Sequence, residues 1–252
     1  MSLPQDPEPW LGALKRAVPE PRCELLFRSP FELLIATQLS AQSTDVMVNK
    51  VTPELFARWP TPVAMAAANP AEMEGVLRPT GFFRNKTKHA IETARLLVER
   101  HGGDVPANMK ALIALPGVAR KTANVVLGTA FGISSGVTVD THAFRVTGRW
   151  GWHRERTPEK VEALLMAIVP RAGWPDFGHR LVLFGRYQAR RGRPSVRAAN
   201  SPVCARAQRV SHSCRPQVGS RGHETPVRHG GLRSGGEGPL GRVIYAPRTL
   251  LL

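Results

Sequence analysis

Cysteine is scarce. Cys23, Cys204 and Cys214 are the only three in 252 residues, too few for a disulfide-dense secreted scaffold and not spaced as a close-set metal site. A reducing cytosol is the expected compartment, with nucleoid association if the source is bacterial. No apolar run approaches the roughly 20 residues that span a bilayer, and the opening MSLPQDPEPW lacks a basic stretch followed by an apolar core. A soluble, non-exported protein with no membrane partner is therefore expected. Strict alternation of apolar and polar residues long enough for a sheet is absent, as is any internal repeat, so the class is all-α. Acidic residues are also few, 19 against 35 Lys and Arg. The formal net charge of +16 suggests a polyanionic partner, because basic side chains release counterions from nucleic acid when they bind.

Up to about Arg186, helical periodicity is nearly continuous. In SPFELLIATQLSAQSTDVMVNKVTPELFARW, Ser29 stands as N-cap, Pro30 takes the first helical position and Glu32 falls in the first turn. The segments TPVAMAAA, NPAEMEGVL, RNKTKHAIETARLLVERHG, NMKALIAL, KTANVVLGTAFG, VDTHAFRVTGRWG, TPEKVEALLMAIVP and GHRLVLFGRYQ continue the series. Lysine then disappears: residues 186–252 hold thirteen Arg, no Lys and two acids, a net +11 of the total charge. Gly, Pro and Ser abound there without an amphipathic period. Such a segment buries too little apolar surface to offset its ordering entropy, so residues 189–252 are expected to be a disordered, solvated tail.

Chemistry is concentrated in LPGVARKT, residues 115–122, and in VTVDTH, whose aspartate is Asp140. Pro116 starts a turn between two helical segments, and Gly117 permits positive φ and close backbone approach. Free amides at the start of the second helix suit a phosphate, directly or through a bridging cation, although the same turn is also an ordinary helix connection. Lys121 lies at that helix start, where the dipole, Arg120 and desolvation disfavour its charged form. A neutral amine can attack a sugar C1′, displace a base and form a Schiff base. A surface lysine that steers a phosphate has the same sequence. Asp140 suits a helix N-cap, and a carboxylate beside a reacting sugar also stabilises oxocarbenium-like charge. His142 reads as a structural residue of the same helix start.

Together, LPGVARKTANVVLGTAFG and VDTHAFRVTGR resemble the helix-hairpin-helix and catalytic aspartate of the endonuclease III family of DNA glycosylases. SPFELLIATQLSAQSTDVMVNK, TGFFRNKTKHAI and LVLFGRY fit that family's other segments in order, over roughly residues 10–188. The resemblance implies a two-lobed helix-hairpin-helix fold with a central DNA-binding groove. Residues 29–136 would form a helical barrel carrying the hairpin, and residues 1–28 with 137–188 a second lobe built from both ends. It implies a base-excision glycosylase with AP lyase activity on oxidised pyrimidines, acting as a monomer on double-stranded DNA with a damaged base or abasic site. Lys121 would be the Schiff-base nucleophile and Asp140 its carboxylate partner. Leu115, Pro116, Gly117, Val118 and Ala119 would form the DNA-binding hairpin, with Ala119 replacing the motif's second turn glycine. Gln42 would insert toward the space left by the flipped nucleotide, and Phe82 would be an apolar wedge in the kinked duplex. Helix-surface polarity for Gln42 and core packing for Phe82 are the plainer alternatives. Adenine glycosylases of the superfamily lack this lysine and carry a glutamate in the LSAQ region, which favours the bifunctional reading. A catalytically impaired DNA-binding module and a monofunctional glycosylase are the alternatives.

The resemblance breaks at the tail. Family members usually follow GRY plus one residue with the first cysteine of Cys-x6-Cys-x2-Cys-x5-Cys, which holds a [4Fe–4S] cluster; here that position is Ala189. Four thiolates are required, so neither metal nor other cofactor is expected. The abrupt change of composition suggests a shifted reading frame in a GC-rich gene. Sequencing the locus and finding an intact frame through codon 189 would overturn that reading.

Overall fold

The computed structural model describes residues 6–189, within one compact unit. Eleven α-helices occur among them, with no strand. They are α1 (Glu8–Ala17), α2 (Pro30–Leu39), α3 (Asp45–Arg58), α4 (Pro62–Ala66), α5 (Pro70–Leu77), α6 (Phe83–His101), α7 (Met109–Ile113), α8 (Arg120–Phe131), α9 (Thr141–Arg149), α10 (Pro158–Ile168) and α11 (Trp174–Leu183). A 3₁₀ turn, Arg78–Thr80, precedes α6, and a π turn, Phe184–Gln188, follows α11. Of the expected disordered tail, residues 190–252 lie outside the described residues, whereas Ala189 is described and buried.

Local chemistry accounts for most helix starts. The Ser29 hydroxyl accepts from the Glu32 amide, while the Glu32 carboxylate reaches back to the Arg28 amide at 2.7 Å, a near-reciprocal cap. Thr44, Thr61, Asn69 and Asn108 cap α3, α4, α5 and α7 in the same way. Helix α2 is buried on nearly every side, consistent with its almost uninterrupted apolar run. The long periodic stretch from Ser29 to Trp59 is divided into α2 and α3. The break falls at residues 40–44, where Gln42 has φ +53.

Two groups of buried side chains form. The first runs from Leu25 to Leu127 and includes Leu33, Leu34, Leu55, Met65, Leu97 and Leu112. The second joins Leu11 and Leu14 of α1 to Val137, Val146, Leu165 and Leu181, so the N-terminal helix packs with the last ones. Trp10, Trp150 and Trp152 stack in this second group with ring centroids about 5 Å apart, offering large apolar area in tilted geometry. Helix α8 touches both sides, meeting α2 and α11. Its first turn is thereby fixed between the two cores, and that turn carries Lys121.

Candidate active site

Lys121 is the second residue of α8, and Asp140 is the N-cap of α9. Asp140 Oδ1 accepts from the amides of His142 and Ala143, both at 2.8 Å, which leaves Oδ2 without a hydrogen bond among the described residues. Capping therefore occupies only one oxygen. Both side chains line an inner pocket that is partly open to solvent, and both also line a wider cleft beside it. His179, Cys23, Thr37 and Val125 belong to the inner pocket; Gln42, His142 and Arg156 belong to the cleft.

Charge around the pocket is largely paired. The Arg186 guanidinium donates to Asp45 at 2.5 Å and to Glu24, and the Tyr187 hydroxyl donates to Glu24 as well. Burial opposes the Arg186 charge, but the bond to Asp45 and the nearby Glu24 outweigh it and hold the arginine more firmly protonated than in water. Asp140 forms no ion pair among the described residues, so it brings an unneutralised carboxylate to the pocket. Burial is the main influence on Cys23 and His179, which also line the pocket. It pushes the Cys23 thiol up and the His179 imidazole down, keeping both neutral near pH 7.

The sequence reading sets Arg120 and burial against Lys121, and the fold supplies neither. Arg120 turns to Glu162, its Nε donating at 2.7 Å, and Lys121 is exposed at the pocket.

The hairpin between α7 and α8 has the geometry of an anion cradle. Gly117 has φ +69, and Val118 closes the turn by donating to the Leu115 carbonyl at 3.2 Å. The amides of Gly117 and Ala119 find no acceptor among the described residues, and Ala119 supplies no side-chain cap to the first turn of α8. Leu115 and Val118 are buried in the first core, so this pair reaches a ligand only through backbone. Gln38 Nε2 donates to the Pro116 carbonyl at 2.7 Å and fixes the turn from below. A Cβ added to Gly117 would meet His89 Nδ1 at 2.6 Å. Gly117→Ala is accordingly expected to lose about 1–2 kcal/mol through the positive φ and this contact, with weaker duplex binding. Adding His89→Ala should recover only the part due to the contact; full recovery in a binding titration would mean that φ is immaterial.

Gln42 stands exposed at the cleft mouth and Phe82 is 63% exposed outside both cavities. These two are the non-glycine residues with positive φ among the described residues. Phe82 is not a core residue. Sequence reasoning did not single out Asp45, Glu24, Arg186 or His179, whose only shared signal is that separate segments meet at one pocket.

Residues 35–171 match the family described as HhH-GPD superfamily base excision DNA repair protein. Endonuclease III of Synechocystis sp. is 45% identical over 201 residues, 80% of this chain and 88% of that protein. Endonuclease III of Escherichia coli K12 is 46% identical over 177 residues, 70% of this chain and 83% of that protein. A trapped endonuclease III–DNA covalent intermediate superposes with a TM-score of 0.71 at 42% identity, covering 73% of this chain and 86% of that one. The fold and site thus define a helix-hairpin-helix base-excision enzyme. The chain belongs to the endonuclease III family, whose members are DNA glycosylases and AP lyases.

Relatives usually carry a [4Fe–4S] cluster, and the residues of this chain do not fit one. Its three cysteines are one short of the four thiolates required. Ala189, at the position of the usual first ligand, buries its methyl in the second core, and its carbonyl accepts from Arg145. Cys23 faces the inner pocket instead, while Cys204 and Cys214 lie outside the described residues.

Proposed function

We propose that this chain excises oxidised pyrimidines from double-stranded DNA and then cleaves the abasic strand, with Lys121 as nucleophile and Asp140 as its carboxylate partner. The observation that carries the reading is that the exposed Lys121 amine and Asp140, with its free Oδ2, line the same two cavities. A base turned out of the stack would enter the inner pocket and displace water around the amine. The amine attacks C1′, and the departing base takes the electron pair of the glycosidic bond together with a proton. Asp140 stabilises the positive charge developing on the sugar and assists the proton transfers. The C1′–O4′ bond then opens, with a proton going to O4′, to give the Schiff base, which acidifies C2′; loss of that proton expels the 3′ phosphate, and water releases the lysine.

The free amides of Gly117 and Ala119 would hold a backbone phosphate, with Leu115, Pro116 and Val118 shaping the turn. Gln42 would fill the space vacated by the nucleotide and Phe82 would wedge the kinked duplex. The two buried groups of side chains support a barrel over residues 29–136 and a second lobe from residues 1–28 and 137–188, except that Cys23, Leu25 and Phe27 pack with the first group. The protein would act as a monomer in the cytoplasm, at the nucleoid if bacterial.

The test is a duplex with one thymine glycol: incision without alkali is expected, whereas base release leaving an alkali-labile intact strand would remove the lyase step. Asp140→Asn keeps an oxygen for the two cap amides and removes the charge. Its melting temperature should stay near wild type while the rate falls about 100-fold, the scale of losing one electrostatic stabiliser. Equal loss of stability and activity would reduce Asp140 to a cap.

A further inference from the structure

Phe82 projects from an unusual piece of backbone. Its φ of +49 and ψ of +27 place a bulky residue in the left-handed region, and Gly81 before it has φ +69. Two successive residues of this kind between a 3₁₀ turn and a helix do not hold themselves, because a large side chain disfavours that conformation. The neighbouring groups supply the hold. The Gly81 amide donates to the Arg78 carbonyl at 3.3 Å, the Thr80 hydroxyl to the Leu77 carbonyl at 2.8 Å, and the Lys86 amide to the Phe82 carbonyl at 3.1 Å. Phe83 is gripped separately between the Arg78 and Arg84 guanidiniums, 6.0 and 5.4 Å from its ring. The Phe82 ring is left outward.

Lys86 is the unexpected member of this group. It is 7% exposed, and its ammonium donates to the Thr80 carbonyl at 2.8 Å. It makes no ion pair among the described residues. Burial pulls its ordinary value down, the sign of a charge kept out of water without a carboxylate to compensate. A methionine would fill the same space without that cost. The bond to Thr80 closes a ring from residue 80 to residue 86 that contains both left-handed residues and nothing of the catalytic pocket.

We propose that Lys86 is a positioning residue for lesion extrusion: its ammonium, clamped on the Thr80 carbonyl, fixes the Gly81–Phe82 turn so that the Phe82 ring stands out rigidly toward the duplex. This rests on the reading of Phe82 as the duplex wedge. Side chains that act on substrate need their supporting contacts to hold them within a fraction of an ångström, and the clamp is such a contact for a residue that has no packing of its own.

The experiment compares wild type with Lys86→Met, Lys86→Arg and Phe82→Ala. One readout is the fluorescence rise of 2-aminopurine placed opposite thymine glycol when protein saturates the duplex; the other is borohydride trapping on a preformed abasic site, which has no base to extrude. Lys86→Met should lower the fluorescence rise and thymine glycol excision about tenfold, the scale expected of a modest misplacement, with abasic-site trapping reduced far less. Lys86→Arg, which retains a donor, should restore most of the rise. A folded Lys86→Met protein with the wild-type rise overturns the proposal, as does an equal loss in both assays. If that variant does not fold, Lys86→Gln is read by the same two outcomes. Phe82→Ala separates the two levels: an unchanged rise there defeats the wedge reading itself, whereas a lost rise beside an intact Lys86→Met defeats only the clamp.

Discussion

Lys121→Ala should yield no borohydride-stable adduct on a duplex carrying one abasic site, and its strand incision should fall by at least about 1000-fold, ~4 kcal/mol of barrier. The amine is exposed at a pocket that Asp140 also lines, and alanine removes the atom that would form the covalent bond in the proposed reaction. Structure should be spared. Lys121 is an exposed residue of the first turn of α8, alanine is the best helix former, and surface changes away from caps and pairs usually stay within about 0.5 kcal/mol. Duplex binding should weaken by less than about tenfold, since one cation is lost while the hairpin amides proposed to hold a phosphate remain. An adduct that persists in Lys121→Ala would show that another amine reaches C1′. Loss of adduct with loss of all DNA binding would make Lys121 a phosphate contact and leave the nucleophile unassigned.

How much of this was legible in the chain differs from residue to residue. Caps and starts were local: Ser29, Pro30 and Glu32 stand within four positions, and Asp140 caps the helix that VDTH suggests. The hairpin was legible for the same reason, since Gly117 at φ +69 is a property of one short turn. What escaped was set by contacts far apart in sequence. Arg186 meets Asp45 across 141 positions and Glu24 across 162, so no window of the chain displays the ion-pair group beside the pocket. The division of the Ser29–Trp59 stretch was hidden as well, because Ala41, Gln42 and Ser43 carry no Gly or Pro to mark a break, and Gln42 adopts a conformation that its own propensity disfavours. Lys86, in the polar start of α6, carries no local mark of the burial that the fold gives it. Arg120 was expected to press on Lys121, and only the fold reveals the carboxylate that draws it away.

That carboxylate, Glu162 of α10, carries the other large expected effect. It is 5% exposed and accepts from Arg120 Nε at 2.7 Å and Asn124 Nδ2 at 2.9 Å, while Ser135 donates to Asn124 Oδ1 at 2.8 Å. Gly136 packs so closely that any Cβ there would collide with the carboxylate. One acidic side chain of the second core thus holds two residues of α8 on either side of Lys121. Glu162→Ala would leave a buried amide and a guanidinium without their acceptor. Breaking a buried pair costs about 3–5 kcal/mol, and because the Arg120 side chain is 43% exposed and water can replace part of the loss, about 2–3 kcal/mol is the better expectation. For a protein of this size that lowers the melting temperature by roughly 5–10 °C. Glu162→Gln should cost about half as much, since its one oxygen can serve only one of the two donors and its amide nitrogen faces the other. Because both donors flank Lys121, incision measured well below either melting transition should also fall, with abasic-site trapping reduced in step. A Glu162→Ala protein that melts with wild type would show that α8 is held by apolar packing alone, and one that melts early yet incises at the full rate would free the position of Lys121 from this carboxylate.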